Sequence, residues 1–147
     1  MLRIRGGLAY AGLAAGAVSG IVLGLAMKLL ELASGKSVYR LLLSVEFVPW
    51  LPAAMPEPAE FALHLLVSLP LGIVYWSLLS VWWAPLGLGL WMGGAMAACT
   101  WIPLTQLSER VPALQDWRAL AMWMAGHLVY GLTLALFGKY WLKKGVE

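Results

Sequence analysis

The sequence predicts an all-α integral membrane protein: a four-helix bundle with one interfacial or re-entrant segment in its first loop. Three observations lead there. Of the 147 residues, 62% are hydrophobic and only 12% are charged, and the mean hydropathy is +0.82. A soluble domain of this size cannot hide so much apolar surface, whereas a bilayer acts as its solvent. Residues 61–108 contain no Asp, Glu, Lys or Arg over 48 positions. Lys and Arg gather at the ends of the apolar runs, where they anchor helices at the membrane surface. That placement argues against nucleic acid as a partner for the net charge of +3.

A spanning helix needs about 20 apolar residues, because each rises 1.5 Å across a core of about 30 Å. The first fits residues 8–33. Its uncharged stretch, residues 6–27, exceeds the roughly 7–15 residues of a signal-peptide core, so we read it as a retained span. Lys28 and Glu31 are spaced to pair, and Gly35 marks the stop. Residues 37–50 are apolar but too short to cross, which suggests an interfacial helix with Ser37, Arg40 and Ser44 on its polar face and Glu46 breaking the pattern. Pro49, Pro52, Pro56 and Pro58 enforce an extended connection, closed by Glu57 and Glu60 as loop charges.

The long uncharged stretch divides into spans at 61–79 and 86–107. The turn is expected at Ser80–Pro85, since Pro suits a helix start. Pro70 is a candidate kink in the second span. The fourth span is residues 119–138, closed by Lys139, Lys143 and Lys144. Trp82, Trp83, Trp101, Trp117 and Trp141 are expected in an aromatic belt, and Trp91 and Trp123 in the packed interior. Four spans put five Lys and Arg on each side of the membrane. The acidic residues cluster on one side, which favours both termini in the cytoplasm.

Small residues recur every fourth position. Gly12, Gly16, Gly20 and Gly24 form one ridge of the first helix; Gly89, Gly93 and Ala97 repeat it on the third, and Gly131 and Ala135 on the fourth. Within lipid such stripes let backbones approach closely, as in a glycine zipper. We expect these stripes to pack against one another, with a homodimer through the first helix as the alternative.

Ionisable groups inside spans mark candidate sites. Both histidines qualify. His64, Ser68 and Tyr75 share a face of the second span, and His127 and Tyr130 lie in the fourth. Three readings follow: structural hydrogen bonding to neighbouring carbonyls, a proton-linked pore or small transporter lined by His64, Tyr75, His127 and Tyr130, or two axial ligands for a b-type haem. There is no Gly-x-Ser-x-Gly, His-Glu-x-x-His or phosphate-binding glycine loop. The single Cys99 has no disulfide partner in the chain. We therefore expect no enzyme and no resident metal.

The early His64, the Trp-Met-Gly-Gly-Ala stretch from Trp91 to Ala95, Pro103-Leu104, and Gly-His-Leu-Val-Tyr-Gly from Gly126 to Gly131 form a pattern. It resembles the YagU-like family of small bacterial inner-membrane proteins and, more loosely, the YqhR-type ones. The resemblance implies a four-span inner-membrane protein with an accessory or stress-related role. Such a protein would act by packing with itself or with a larger membrane partner. The resemblance carries over no catalytic residue.

Overall fold

The computed structural model describes residues 2–45, 48–52, 55–106 and 110–144, with side chains described between residues 9 and 140. Five helices follow in order: α1 (Leu2–Ser34), α2 (Val38–Leu43), α3 (Glu57–Leu79), α4 (Pro85–Gln106) and α5 (Trp117–Lys144). Four are long and apolar enough to span a bilayer, over Ala9–Ser34, Glu57–Leu79, Pro85–Gln106 and Trp117–Tyr140. The chain is a multi-pass membrane protein built as a four-helix bundle.

The ends of the helices follow local chemistry. Gly35 takes φ +69°, and its amide reaches back to the Glu31 carbonyl at 2.8 Å, so a left-handed glycine closes α1. Pro85 opens α4. Asp116 caps α5 by accepting from the Ala119 amide at 3.1 Å. A Lys36 ammonium lies 2.6 Å from the same carboxylate and is the main cause holding the Asp116 carboxyl below its ordinary range.

Several expectations require correction. The interfacial helix is only α2, six residues long, because a turn and an extended stretch follow Leu43. Arg40 is exposed on it, but Ser44 does not share a wet face, since its Oγ is buried without a hydrogen-bond partner. Glu46 lies outside the described residues, as do residue 107 at the end of the third predicted span and the side chain of Trp141. Helix α3 begins at Glu57, four residues before the predicted start, because proline is tolerated in a first turn. Glu57 and Glu60 therefore belong to a helix and not to a loop. Lys28 does not pair with Glu31. It reaches Glu57 at 2.5 Å, while Glu31 accepts from the Tyr39 and Arg40 amides at 2.8 and 3.0 Å and so caps α2. Tyr39 also donates to Glu57 at 3.0 Å, and burial with that carboxylate pushes its phenol up to about 12. These contacts tie α1, α2 and α3 together at one membrane surface. Trp82, Trp83 and Trp117 are exposed near helix ends, but Trp91 faces outward from α4 and Trp101 is buried, donating to the Leu114 carbonyl at 3.3 Å.

The stripes of α4 and α5 pack against each other as expected, whereas the α1 stripe meets α3, at Ser68, Leu69, Gly72 and Ile73. The α1 ridge packs on α3, and the α4 ridge packs on α5. A Cβ built on Gly16 would fall 3.0 Å from Leu69 Cα, and one on Gly12 would fall 2.8 Å from Ile73 Cα. A Cβ on Gly89 would overlap the Gly131 carbonyl oxygen, and one on Gly93 the His127 carbonyl oxygen. Two tight pairs result, α1–α3 and α4–α5. They are joined where Leu23 and Met27 of α1 meet Gly126 of α5.

Candidate functional site

Close approach within each pair leaves α3 and α4 only sparsely in contact. Between them lies a groove of about 440 Å³. Its walls are Leu63, Leu66, Val67 and Leu71 of α3 with Met96, Thr100 and Leu104 of α4, and Leu23 of α1 closes the back. Residues Ser44, Val45, Val48, Trp50 and Leu51, which follow α2, cover one end. His64, Ser68, Trp123, His127 and Tyr130 complete the lining.

Four of the five sequence-selected polar residues meet here. His64 Nε2 donates to the Gly20 carbonyl at 3.1 Å, and His127 Nδ1 donates to the Trp123 carbonyl at 3.0 Å. The His127 ring is 5% exposed and lies 4.4 Å, centroid to centroid, from the Trp123 indole. Ser68 donates to the Gly16 carbonyl at 2.7 Å, and its oxygen lies 3.3 Å from the Tyr130 hydroxyl. Because Ser68 has one proton and the shorter bond uses it, Tyr130 is the donor in the second pair. A chain of hydroxyls thus fastens α5 to α3 and α3 to α1.

Tyr75 stands apart. It is fully buried near the opposite end of α3, where its hydroxyl donates to the Pro85 carbonyl at 3.2 Å. From His64 to Tyr75 is about 16 Å along the helix. Tyr75, Leu79 and Leu134 fill the interior at that end, so among the described residues the polar groups of the groove do not continue across the bundle. Axial ligation of one haem by both Nε2 atoms would require His64 to release the Gly20 carbonyl. No three His, Cys, Asp or Glu side chains converge among the described residues.

Sequence reading missed the cover by Ser44, Val45, Val48, Trp50 and Leu51 and the contributions of Met96 and Thr100. Apolar residues in a predicted span carry no mark that separates a cavity wall from a lipid face. The one available signal was Gly72, four residues after Ser68, which gives α3 its own small-residue ridge against α1. Cys99 is exposed on α4.

No protein-family model matches the chain, and neither a curated protein nor a solved structure is significantly similar to it.

Proposed function

We propose that this chain is a non-enzymatic accessory protein of a bacterial inner membrane, which presents the α3–α4 groove to a membrane-borne partner. The observation that carries this reading is the contrast between two seams closed at backbone distance and one groove left open between them. A surface that only had to be a stable bundle would close all its seams in the same way. The α1 stripe is occupied by α3, so a homodimer through that stripe would have to displace α3. His64, Ser68 and His127 of the lining each donate to a main-chain carbonyl, which supports a role in holding the walls of a binding site. The YagU-like resemblance at Trp91–Ala95 and Gly126–Gly131 points the same way. By the distribution of acidic residues, the N- and C-termini both face the cytoplasm; a charge-sensitive reporter fused after residue 147 tests that orientation.

A native mass spectrum of the detergent-solubilised protein tests the function. A retained mass on the 16.0 kDa chain, lost when Met96→Trp fills the groove, is the expected result. A bare chain whose spectrum is unchanged by Met96→Trp would refute the reading.

A further inference from the structure

The groove can be asked what chemistry it would hold; the answer rests on the groove being the working site. Its volume equals roughly fifteen waters at about 30 Å³ each, and each buried water needs about two to four polar partners. The described lining offers few such atoms beyond Thr100 Oγ1, Tyr130 Oη and one nitrogen of each imidazole, since Ser44 Oγ is itself buried. Thr100 already donates to the Met96 carbonyl at 2.6 Å. Water therefore does not fill the space, and the occupant is largely apolar. It comes from the bilayer, since α3 and α4 part within their spanning segments. Ser44, Val45, Val48, Trp50 and Leu51 lie over one end, which blocks a straight spanning helix of about 10–12 Å diameter but not a flexible chain.

The polar atoms say more. His127 Nδ1 faces a carbonyl, which only accepts, so Nδ1 carries the proton. No charged side chain lines the groove among the described residues, so a second proton would make an unpaired buried charge. Nε2 is therefore a lone-pair acceptor on a side chain more than nine-tenths buried, and it makes no hydrogen bond among the described residues. The Tyr130 oxygen, its proton directed to Ser68, is an acceptor as well. A floor of acceptors without a cation suits a neutral donor and disfavours a carboxylate or phosphate.

We propose that the groove binds an uncharged, membrane-partitioned molecule with an apolar chain and a hydroxyl group that donates to His127 Nε2. A long-chain alcohol and a quinol share this chemistry.

The probe is a diazirine-bearing hexadecanol, compared with its methyl ether, in vesicles of phosphatidylethanolamine and phosphatidylglycerol holding the full chain. Crosslinks are mapped by mass spectrometry. The alcohol is expected to label Val67, Met96 and Thr100 about tenfold more than the ether, as one buried neutral hydrogen bond implies. In His127→Phe that advantage disappears while ether labelling persists, which also reports that the groove still forms. If the variant does not fold, ¹⁵N-histidine spectra of the wild type replace it: the alcohol, but not the ether, shifts His127 Nε2. Competition by unlabelled alcohol and by quinol then identifies the source. Equal labelling of the groove by alcohol and ether would overturn the hydroxyl assignment and leave the groove as a binding site. Absence of either label from α3 and α4 lining residues would overturn the proposed function with it.

Discussion

Gly72→Ala places one methyl group where two helices meet at backbone distance. The new Cβ would overlap the Gly12 carbonyl oxygen and lie 2.5 Å from Gly16 N and 2.6 Å from Gly16 Cα. Carbon atoms rest at about 3.5–4.0 Å, so α1 and α3 must part by about 1 Å. The obstacles are backbone atoms, which cannot rotate aside as a side chain would. Overpacking typically costs about 1–3 kcal/mol, and this site belongs at the upper end. The same movement stretches the 2.7 Å bond from Ser68 to the Gly16 carbonyl beyond hydrogen-bonding range. Against this, alanine is the better helix former by about 0.8–1.0 kcal/mol. The net expectation is a loss of about 2–3 kcal/mol. Gly94→Ala supplies the control: a Cβ there meets nothing within 4 Å, so propensity alone acts and stability holds or rises by up to about 1 kcal/mol. Unfolding in mixed micelles, followed by the fluorescence of the nine tryptophans, measures both. If the two variants differ by less than about 0.5 kcal/mol, the close α1–α3 seam is not a source of stability and the reasoning fails.

Two serines in buried positions should respond with opposite signs. Ser68→Ala removes the bond to Gly16 and strands the Tyr130 hydroxyl, which is 2% exposed, costing about 1–2 kcal/mol in the same unfolding assay. Ser19→Ala deletes a fully buried hydroxyl that has no partner, so stability should stay level or rise by about 1 kcal/mol; a loss would mean that Ser19 has a partner. At the membrane surface, Lys36 and the Ala119 amide lower the Asp116 pKa in the folded state. A lowered carboxylate stabilises the fold above its unfolded value of about 3.8 and loses that contribution as pH falls through the folded value. The gap in melting temperature between wild type and Asp116→Asn should therefore be constant near neutral pH and narrow below about pH 4. A gap that widens on acidification would contradict the pairing.

The spans were legible in the sequence because their signal is summed over some twenty residues and lipid imposes it uniformly. The turn before Pro85 was legible for a local reason, the fit of proline to a first helical turn. Pairing was harder to read. Gly12, Gly16, Gly20 and Gly24 announce that a backbone comes close, but a ridge without side chains does not specify its partner. Ser68 and Gly72 provide the complementary ridge, yet beside His64 and Tyr75 they look like a polar lining. In the fold Ser68 serves both purposes, and Tyr75 belongs to the opposite end. Lys28 had two carboxylates within plausible reach, and the choice of Glu57 over Glu31 depends on how α3 is placed by the glycines. The cover over the groove was illegible because its prolines specify only what the segment cannot form.

The groove follows from where the small residues are. Helices α3 and α4 adjoin in the chain and are joined by a short turn, an arrangement that usually makes packed antiparallel neighbours. Here each has committed its small residues elsewhere: Gly72 of α3 to α1, and Gly89 and Gly93 of α4 to α5. The faces they turn toward each other carry Leu63, Val67, Leu71, Met96 and Leu104, side chains too large for a seam at backbone distance. Near the turn the two helices are still tied, through Tyr75 and the Pro85 carbonyl. Away from it nothing comparable draws them together, and α5 presents His127 and Tyr130 to the space left between them. The polar floor and the open mouth thus have one origin. The residues that close the α1–α3 and α4–α5 seams also determine that the α3–α4 seam stays open and what it exposes.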